Sequence, residues 1–261
     1  NNLISSKITK EELELLYWTK KFTLLEIGKS KGLSEATIMG RMNILGVTRR
    51  TRVEAQQERR LRTNKICLNL TPNLSYIIGV ICGDGSVFID NRKHYIVALT
   101  TIDLEFAQSF TESLSKIGLS SSIKLDALRP HIKIVRAYSK RFVVWYRALD
   151  KISFLDSIAQ NSKLFFSFLR GFYESEGTLN LSGKPYNRLA MSNTNKELIE
   201  KLFRILKDYN FPFHLYTHKQ AYSPKHKPYK ICYELTLYYK GEILRLLKIL
   251  KPVIKNSNYF K

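Results

Sequence analysis

The chain carries one pattern twice. YIIGVICGDGSVFI, starting at Tyr76, matches FLRGFYESEGTLNL, starting at Phe168, and this aligns Asp84 with Glu176, 92 positions apart. TIDLEFAQSFTESLSKIGL then matches NTNKELIEKLFRILKDYNF at the same spacing of 92, with Asp103 and Asn195 as helix N-caps. IVRAYSKRFVVWYRAL matches ELTLYYKGEILRLLKIL and pairs Lys140 with Lys240, now 100 apart. The extra residues fall in the polar stretch THKQAYSPKHKPYK, where a surface loop tolerates insertion. A repeat this long restricts the fold to two copies of one supersecondary unit.

Each half reads as helix, two strands, helix, two strands, helix. Alternation marks the strands: Phe213, Leu215, Ile231, Tyr233, Leu235 and Leu237 fall on one face. His214, Tyr216, His218, Lys230, Glu234, Thr236 and Tyr238 fall on the other. In the first half His131 and Lys133 alternate with Ile132 and Ile134. The expected class is α+β, a pseudo-twofold pair of αββαββα halves whose antiparallel sheets are covered by helices on one side only. The aromatic positions Phe165, Phe166, Phe168 and Phe172 read as helix core.

The open side would be strongly basic. Lys and Arg number 43 against 22 Asp and Glu, a net charge of +21 that points to a polyanion, nucleic acid first. No apolar run approaches the ~20 residues of a membrane-spanning helix, and no signal-peptide core is visible at the start, so an intracellular protein without a membrane partner is expected. Cys67, Cys82 and Cys232 form no CxxC pair and read as small buried hydrophobes.

Residues 1–47 carry three helix-start signals, Thr9 with Glu12, Thr23 with Glu26, and Ser34. The stretch EIGKSKGLSEATI, with a turn at Gly32, resembles the helix-turn-helix of DNA-binding proteins, with Glu35, Thr37, Gly40 and Arg41 near the exposed face of its second helix. Residues 48–69 form a basic linker. Its Arg49, Arg50, Arg52, Arg59, Arg60 and Arg62 are placed to track phosphates. The two halves then occupy 70–161 and 162–261.

Within the repeated helix Gly79 and Gly83 are four apart, and Gly171 and Ser175 take the same places in the second copy. Small residues at that spacing let two helices touch along their backbones. The two helix ends then lie side by side, and Asp84 meets Glu176. Two carboxylates at two helix C-termini repel each other and the helix dipoles, which a cation between them relieves. Oxygen-only ligands favour Mg²⁺, with backbone carbonyls of Gly83 and Ser175 as further donors. The implied chemistry is metal-assisted phosphodiester hydrolysis. His214 and His218 lie on a strand face without Cys partners, so DNA contact is preferred to zinc.

The paired stretches IIGVICGDG and LRGFYESEG resemble the doubled signature of the LAGLIDADG homing endonucleases in single-chain, two-repeat form, over about residues 70–257. That resemblance implies a saddle-shaped sheet over a long asymmetric DNA site and Mg²⁺-dependent cutting of both strands by a monomer, leaving short 3′ overhangs. It places Asp84 and Glu176 at the metal-binding acid position. The earlier acidic position, structural in the family, holds Cys82 in one copy and Glu174 in the other. Basic and polar residues around the scissile phosphates would come from Lys140, Lys240 and Lys255, with Thr101 and Asn193. Lys133, Arg188, His214, Tyr216, His218, Lys230 and Thr236 would meet DNA on the strand faces, and Arg41, Arg49, Arg50, Arg52, Arg59 and Arg62 ahead of them. The alternatives are a non-catalytic transcriptional regulator and an RNA-splicing maturase that binds its host intron RNA.

Overall fold

The computed structural model describes residues 8–55, 66–184, 186–220 and 230–255. The chain divides into two compact units, Asn1–Lys65 and Ile66–Lys261. In the first, α1 (Lys10–Glu14) runs into a π-helical turn (Leu15–Thr19), followed by α2 (Leu24–Lys31) and α3 (Glu35–Ile44). The caps are those the sequence signals: the Thr9 hydroxyl accepts from the Glu12 amide, Thr23 and Glu26 form a reciprocal capping box, and Ser34 accepts from the Thr37 amide. Gly32 closes α2 at φ 67°, a left-handed backbone that glycine adopts without penalty. Leu13, Tyr17, Ile27, Ile38, Met42 and Val47 bury one another in a small core of their own.

The second unit opens with α4 (Pro72–Cys82), then β1 (Gly85–Ile89), β2 (Tyr95–Thr101), α5 (Leu104–Lys116), β3 (Ser121–Leu125), β4 (Lys133–Tyr138) and α6 (Lys140–Ala148). A linking helix, α7 (Lys151–Ala159), leads to α8 (Ser162–Glu176), β5 (Gly177–Asn180), β6 (Arg188–Asn193), α9 (Lys196–Asp208), β7 (His214–Gln220), β8 (Lys230–Leu237) and α10 (Lys240–Leu250). The two antiparallel sheets have the same order, β1-β2-β4-β3 and β5-β6-β8-β7, so the repeat in the sequence is a repeat in topology. Helix α7 is additional to the expected plan. Asp150 breaks the run after α6 and restarts it by accepting from the Ile152 and Ser153 amides.

Helices α4 and α8 pair at the centre of one shared core. Thr71 caps α4 with Pro72 in its first turn, and every residue from Leu74 to Ile81 is buried, as an all-apolar helix requires. Phe165, Phe168 and Phe172 of α8 are fully buried, each contributing about 1.5–3 kcal/mol through apolar burial. A Cβ on Gly79 would strike the Phe168 carbonyl oxygen, and one on Gly171 would strike the Tyr76 carbonyl oxygen. The backbones therefore touch where the small residues permit it.

Several sequence expectations are corrected. Asp84 is not in the last turn of its helix: α4 ends at Cys82 and Asp84 lies in the turn before β1, whereas Glu176 is the final residue of α8. Asp103 occupies the N-cap position of α5 but its carboxylate makes no capping bond, unlike Asn195 of α9. The strand parity of the first half is the reverse of that expected. Val135 and Ala137 are fully buried, which puts Lys133 on the core-side row and Ile134, Arg136 and Tyr138 on the open face. Thr236 is on the open face yet fully buried, because larger neighbours cover it and its hydroxyl donates to Glu234 Oε1 at 2.6 Å. Ile231, assigned to the core, is 47% exposed at the distal end of β8, and Cys67 is exposed. Among the described residues no helix is long and apolar enough to cross a membrane.

Candidate active site at the paired helix ends

The close approach continues to the ends of α4 and α8. A Cβ on Gly83 would strike Ser175 Cβ and come within 2.9 Å of Glu176 Cγ, so the first copy's helix end lies against the second copy's acid. Asn193, at the end of β6, spans the two copies. Its amide donates to Glu176 Oε1 at 2.8 Å and to the Cys82 carbonyl at 3.2 Å. Lys255, beyond α10, donates from Nζ to the Ser175 carbonyl at 2.6 Å. Asp84, Thr101, Asp103 and Lys255 line a hollow of about 310 Å³ on the first-half flank.

The electrostatics mark these acids as a strained pair. Burial pushes the Asp84 carboxyl above its ordinary value, against the pull of Lys255. Glu176 is also raised, first by burial and then by the negative charge of Asp84, while the Asn193 hydrogen bond and Lys255 oppose the shift. Burial pushes Lys255 down, although the charges of Asp84, Glu176, Asp103 and Glu174 favour its protonated form. The exposed Asp84 and the half-buried Glu176, whose ionisation the Asp84 charge opposes, form an oxygen donor set suited to a hard divalent cation, whose charge would remove the repulsion. Such an ion would complete its shell with water and phosphate oxygens. The Gly83 and Ser175 carbonyls assigned as further donors lie at the same helix ends, but that of Ser175 is engaged by Lys255.

A family model described as LAGLIDADG-like domain matches residues 71–147 and 165–251, one match on each half. The chain belongs to the LAGLIDADG-like domain family. It is 32% identical over 163 residues to the uncharacterized protein MJ0314 of Methanocaldococcus jannaschii, covering 60% of this chain and 62% of that one. It is 30% identical over 155 residues to the uncharacterized protein MJ0398 of the same organism, covering 56% and 52%. The match thus spans less than two thirds of either relative. Among solved structures, full-length DUF199/WhiA from Thermatoga maritima has a TM-score of 0.50 at 18% identity, over 74% of this chain and 60% of that one. That likeness is one of fold. I-DmoI in complex with DNA and Mn has a TM-score of 0.48 at 22% identity, over 71% of this chain and all of that one, 100%.

Within this LAGLIDADG chain the remaining sequence-assigned residues divide sharply. Lys140 and Lys240 are not at the acids. Lys140 follows β4, whose Tyr138 end pairs with Ile96, while Asp84 adjoins the opposite end of β2 through Gly85 and Leu99. Lys240 likewise follows the Leu237 end of β8, level with Leu189, while Glu176 adjoins Gly177 and Met191. The offset is several residues at about 3.3 Å each, beyond the reach of a lysine chain to the acid on its own half. Lys255 is the lysine that the fold brings to the pair.

On the second sheet's open face Arg188 pairs with Glu234 at 2.5 Å, and His214, Tyr216 and His218 form an exposed row with ring centroids 6.1–6.3 Å apart. The Glu234 acid is held below its ordinary value, since hydrogen bonds from Thr236 and Arg188 outweigh its burial. Thr236 itself is covered and offers DNA nothing. On the first sheet Lys133 is occupied, donating to the Ile102 and His131 carbonyls at 2.8 and 3.1 Å. Lys124 and Arg136, which the sequence reading passed over, project there instead beside Tyr138. The buried Val135 and Ala137 gave the parity that would have found Arg136.

In the N-terminal unit Arg50 is a structural residue. Its guanidinium lies 4.1 Å from the Tyr17 ring and donates to the Tyr17 and Phe22 carbonyls, so it is not available to phosphates. Arg49 and Arg52 are exposed, Arg41 is half-buried, and Arg59, Arg60, Arg62 and the side chain of Lys230 lie outside the described residues.

Proposed function

We propose that the Ile66–Lys261 unit is a site-specific DNA endonuclease that cuts both strands of a long asymmetric target. The observation that carries this reading is the convergence of Asp84 and Glu176, one from each copy, where each carboxyl is harder to ionise than usual. A fold used only to bind a polyanion gains nothing from two crowded acids facing it. Asp84 and Glu176 would hold a divalent cation, most naturally Mg²⁺. When bound, that ion supplies charge stabilisation and an acidified water for in-line displacement at phosphorus. The Asn193 amide fixes the rotamer of Glu176, and Lys255 presents an ammonium beside the acids, where negative charge grows on the phosphoryl oxygens. Both acids come from one chain, so a monomer suffices.

Arg188, His214, Tyr216 and His218 on one sheet, with Lys124 and Arg136 on the other, are the proposed contacts to the duplex. In the N-terminal unit α3 has the exposed Glu35, Thr37 and Met39 of a recognition helix, with Arg41, Arg49 and Arg52 as phosphate contacts. A DNA target also implies work inside the cell.

The deciding experiment is incubation of the full chain with a pooled duplex library, with Mg²⁺ or with EDTA, followed by sequencing of the ends. Mg²⁺-dependent breaks at one site with short 3′ overhangs are expected, and they should vanish in Asp84→Asn. Selective binding with no scission would overturn the nuclease reading in favour of a DNA-binding regulator.

A further inference from the structure

Glu174, next but one to the catalytic acid of α8, is fully buried. A carboxylate so placed is costly unless every lone pair is engaged. Three donors from three different elements meet it: the Tyr76 hydroxyl of α4 at 2.5 Å, Arg170 Nε of α8 at 2.9 Å, and the backbone amide of Val253 at 2.8 Å. Tyr76 and Arg170 are sufficient to pair the charge with the helix bundle. The third bond reaches outside it, to the segment that follows α10.

Its described part, residues 251–255, is held in an unfavourable shape. It is bracketed by Lys251 at φ 48° and Lys255 at φ 53°, left-handed backbone at residues other than glycine, which persists only where surrounding contacts over-determine it. The contacts are the Glu174 bond to Val253, the Tyr173 hydroxyl donating to the Lys255 carbonyl at 2.8 Å, and Lys255 Nζ donating to the Ser175 carbonyl. Consecutive residues of α8, Tyr173, Glu174 and Ser175, thus grip the strap at Val253 and Lys255. In the first copy Cys82 stands where Glu174 does and supplies no carboxylate to such a grip.

We propose that Glu174 is a positioning residue: through the Val253 amide it sets the path of the strap and so holds the Lys255 ammonium beside Asp84 and Glu176. This rests on the nuclease reading for its consequence but not for its geometry. Glu174 touches no substrate and acts on the reaction only through Lys255.

The test is a double-mutant cycle in the full chain with Lys255→Met and Glu174→Cys, the latter installing the residue of the first copy. Lys255→Met is expected to slow cleavage at saturating DNA about 10²-fold. Glu174→Cys should slow it comparably with DNA affinity little changed, and should add less than about twofold on top of Lys255→Met. Glu174→Gln, which keeps an acceptor for Val253, should recover most of the rate. Independent multiplication of the two losses would overturn the proposal, since a merely structural defect does not depend on Lys255.

Hydrogen exchange supplies a readout free of activity. The Val253 amide should exchange at least about tenfold faster in Glu174→Cys, or in Glu174→Met, which likewise offers the amide no oxygen, if the cysteine variant fails to fold, while the Leu247 amide stays protected. Unaltered Val253 exchange would refute the positioning role. A wild-type chain that cuts no DNA would instead refute the nuclease reading and leave the exchange test standing.

Discussion

At the residue scale the acid pair costs stability as pH rises. Both carboxyls hold their protons more tightly folded than unfolded, so between the ordinary values and the raised ones the folded state binds more protons. Stability therefore falls as pH rises through that window, from the ordinary values of 3.8 for Asp84 and 4.5 for Glu176 upward. Glu176→Gln keeps the acceptor for Asn193 and removes the repulsion. We expect it to abolish cleavage, leave DNA binding intact and raise Tm at pH 7.5 by about 2 °C, with a shallower pH dependence between pH 4.5 and 7. Calorimetry beside a nicking assay measures both effects; a lower Tm would show the charge to be already compensated. In the same logic millimolar Mg²⁺ should raise the Tm of the wild-type chain but not that of Asp84→Asn, which thermal melts with and without EDTA would read directly. Lys255 illustrates what sequence alone cannot rank. It shares no repeat partner and no motif, and only the strap after α10 reveals that it, rather than Lys140 or Lys240, meets the acids.

The element scale is where reading residues in order was most informative. A small residue every fourth position, in two copies of one apolar helix, was sufficient to foresee that α4 and α8 touch along their backbones, because only that geometry rewards glycine inside a helix. Gly79→Ala should destabilise the chain by about 1–3 kcal/mol in urea melts, since its Cβ would meet backbone atoms that cannot rotate aside. A loss under half that would mean the helices separate easily. Strand parity was legible only where one face is consistently apolar. The second half alternates cleanly and was read correctly at Leu235 and Leu237, whereas in the first half Ile132 and Ile134 mimic a core face. Isoleucines on the open side carried the same signal as isoleucines on the core side, so period alone could not choose between them. Caps were readable for the same local reason that they work. Asp103 is the exception, holding the N-cap place with no capping bond.

At the scale of the whole molecule the two compact units each have a hydrophobic core, and the larger one contains the acids, Asn193 and the strap. A chain of residues 66–261 should therefore melt cooperatively and still cut, with its affinity for the target weakened roughly 10- to 100-fold by loss of the tethered N-terminal unit. Binding isotherms of the two lengths test this, and equal affinity would show that residues 1–65 make no contact with DNA. With a net charge of +21 the full chain should also lose affinity steeply with salt, a log–log slope steeper than about −4, and the short form should lose part of that slope.

Each copy supplies one carboxylate, and the join between them is the two-residue connection at Gln160 and Asn161, between α7 and α8. Severing the polypeptide there would give two pieces, neither of which holds both carboxylates. On the proposed nuclease reading, the two pieces brought together by fused dimerising partners would regain scission only when both are present, which makes the duplicated architecture a two-input device.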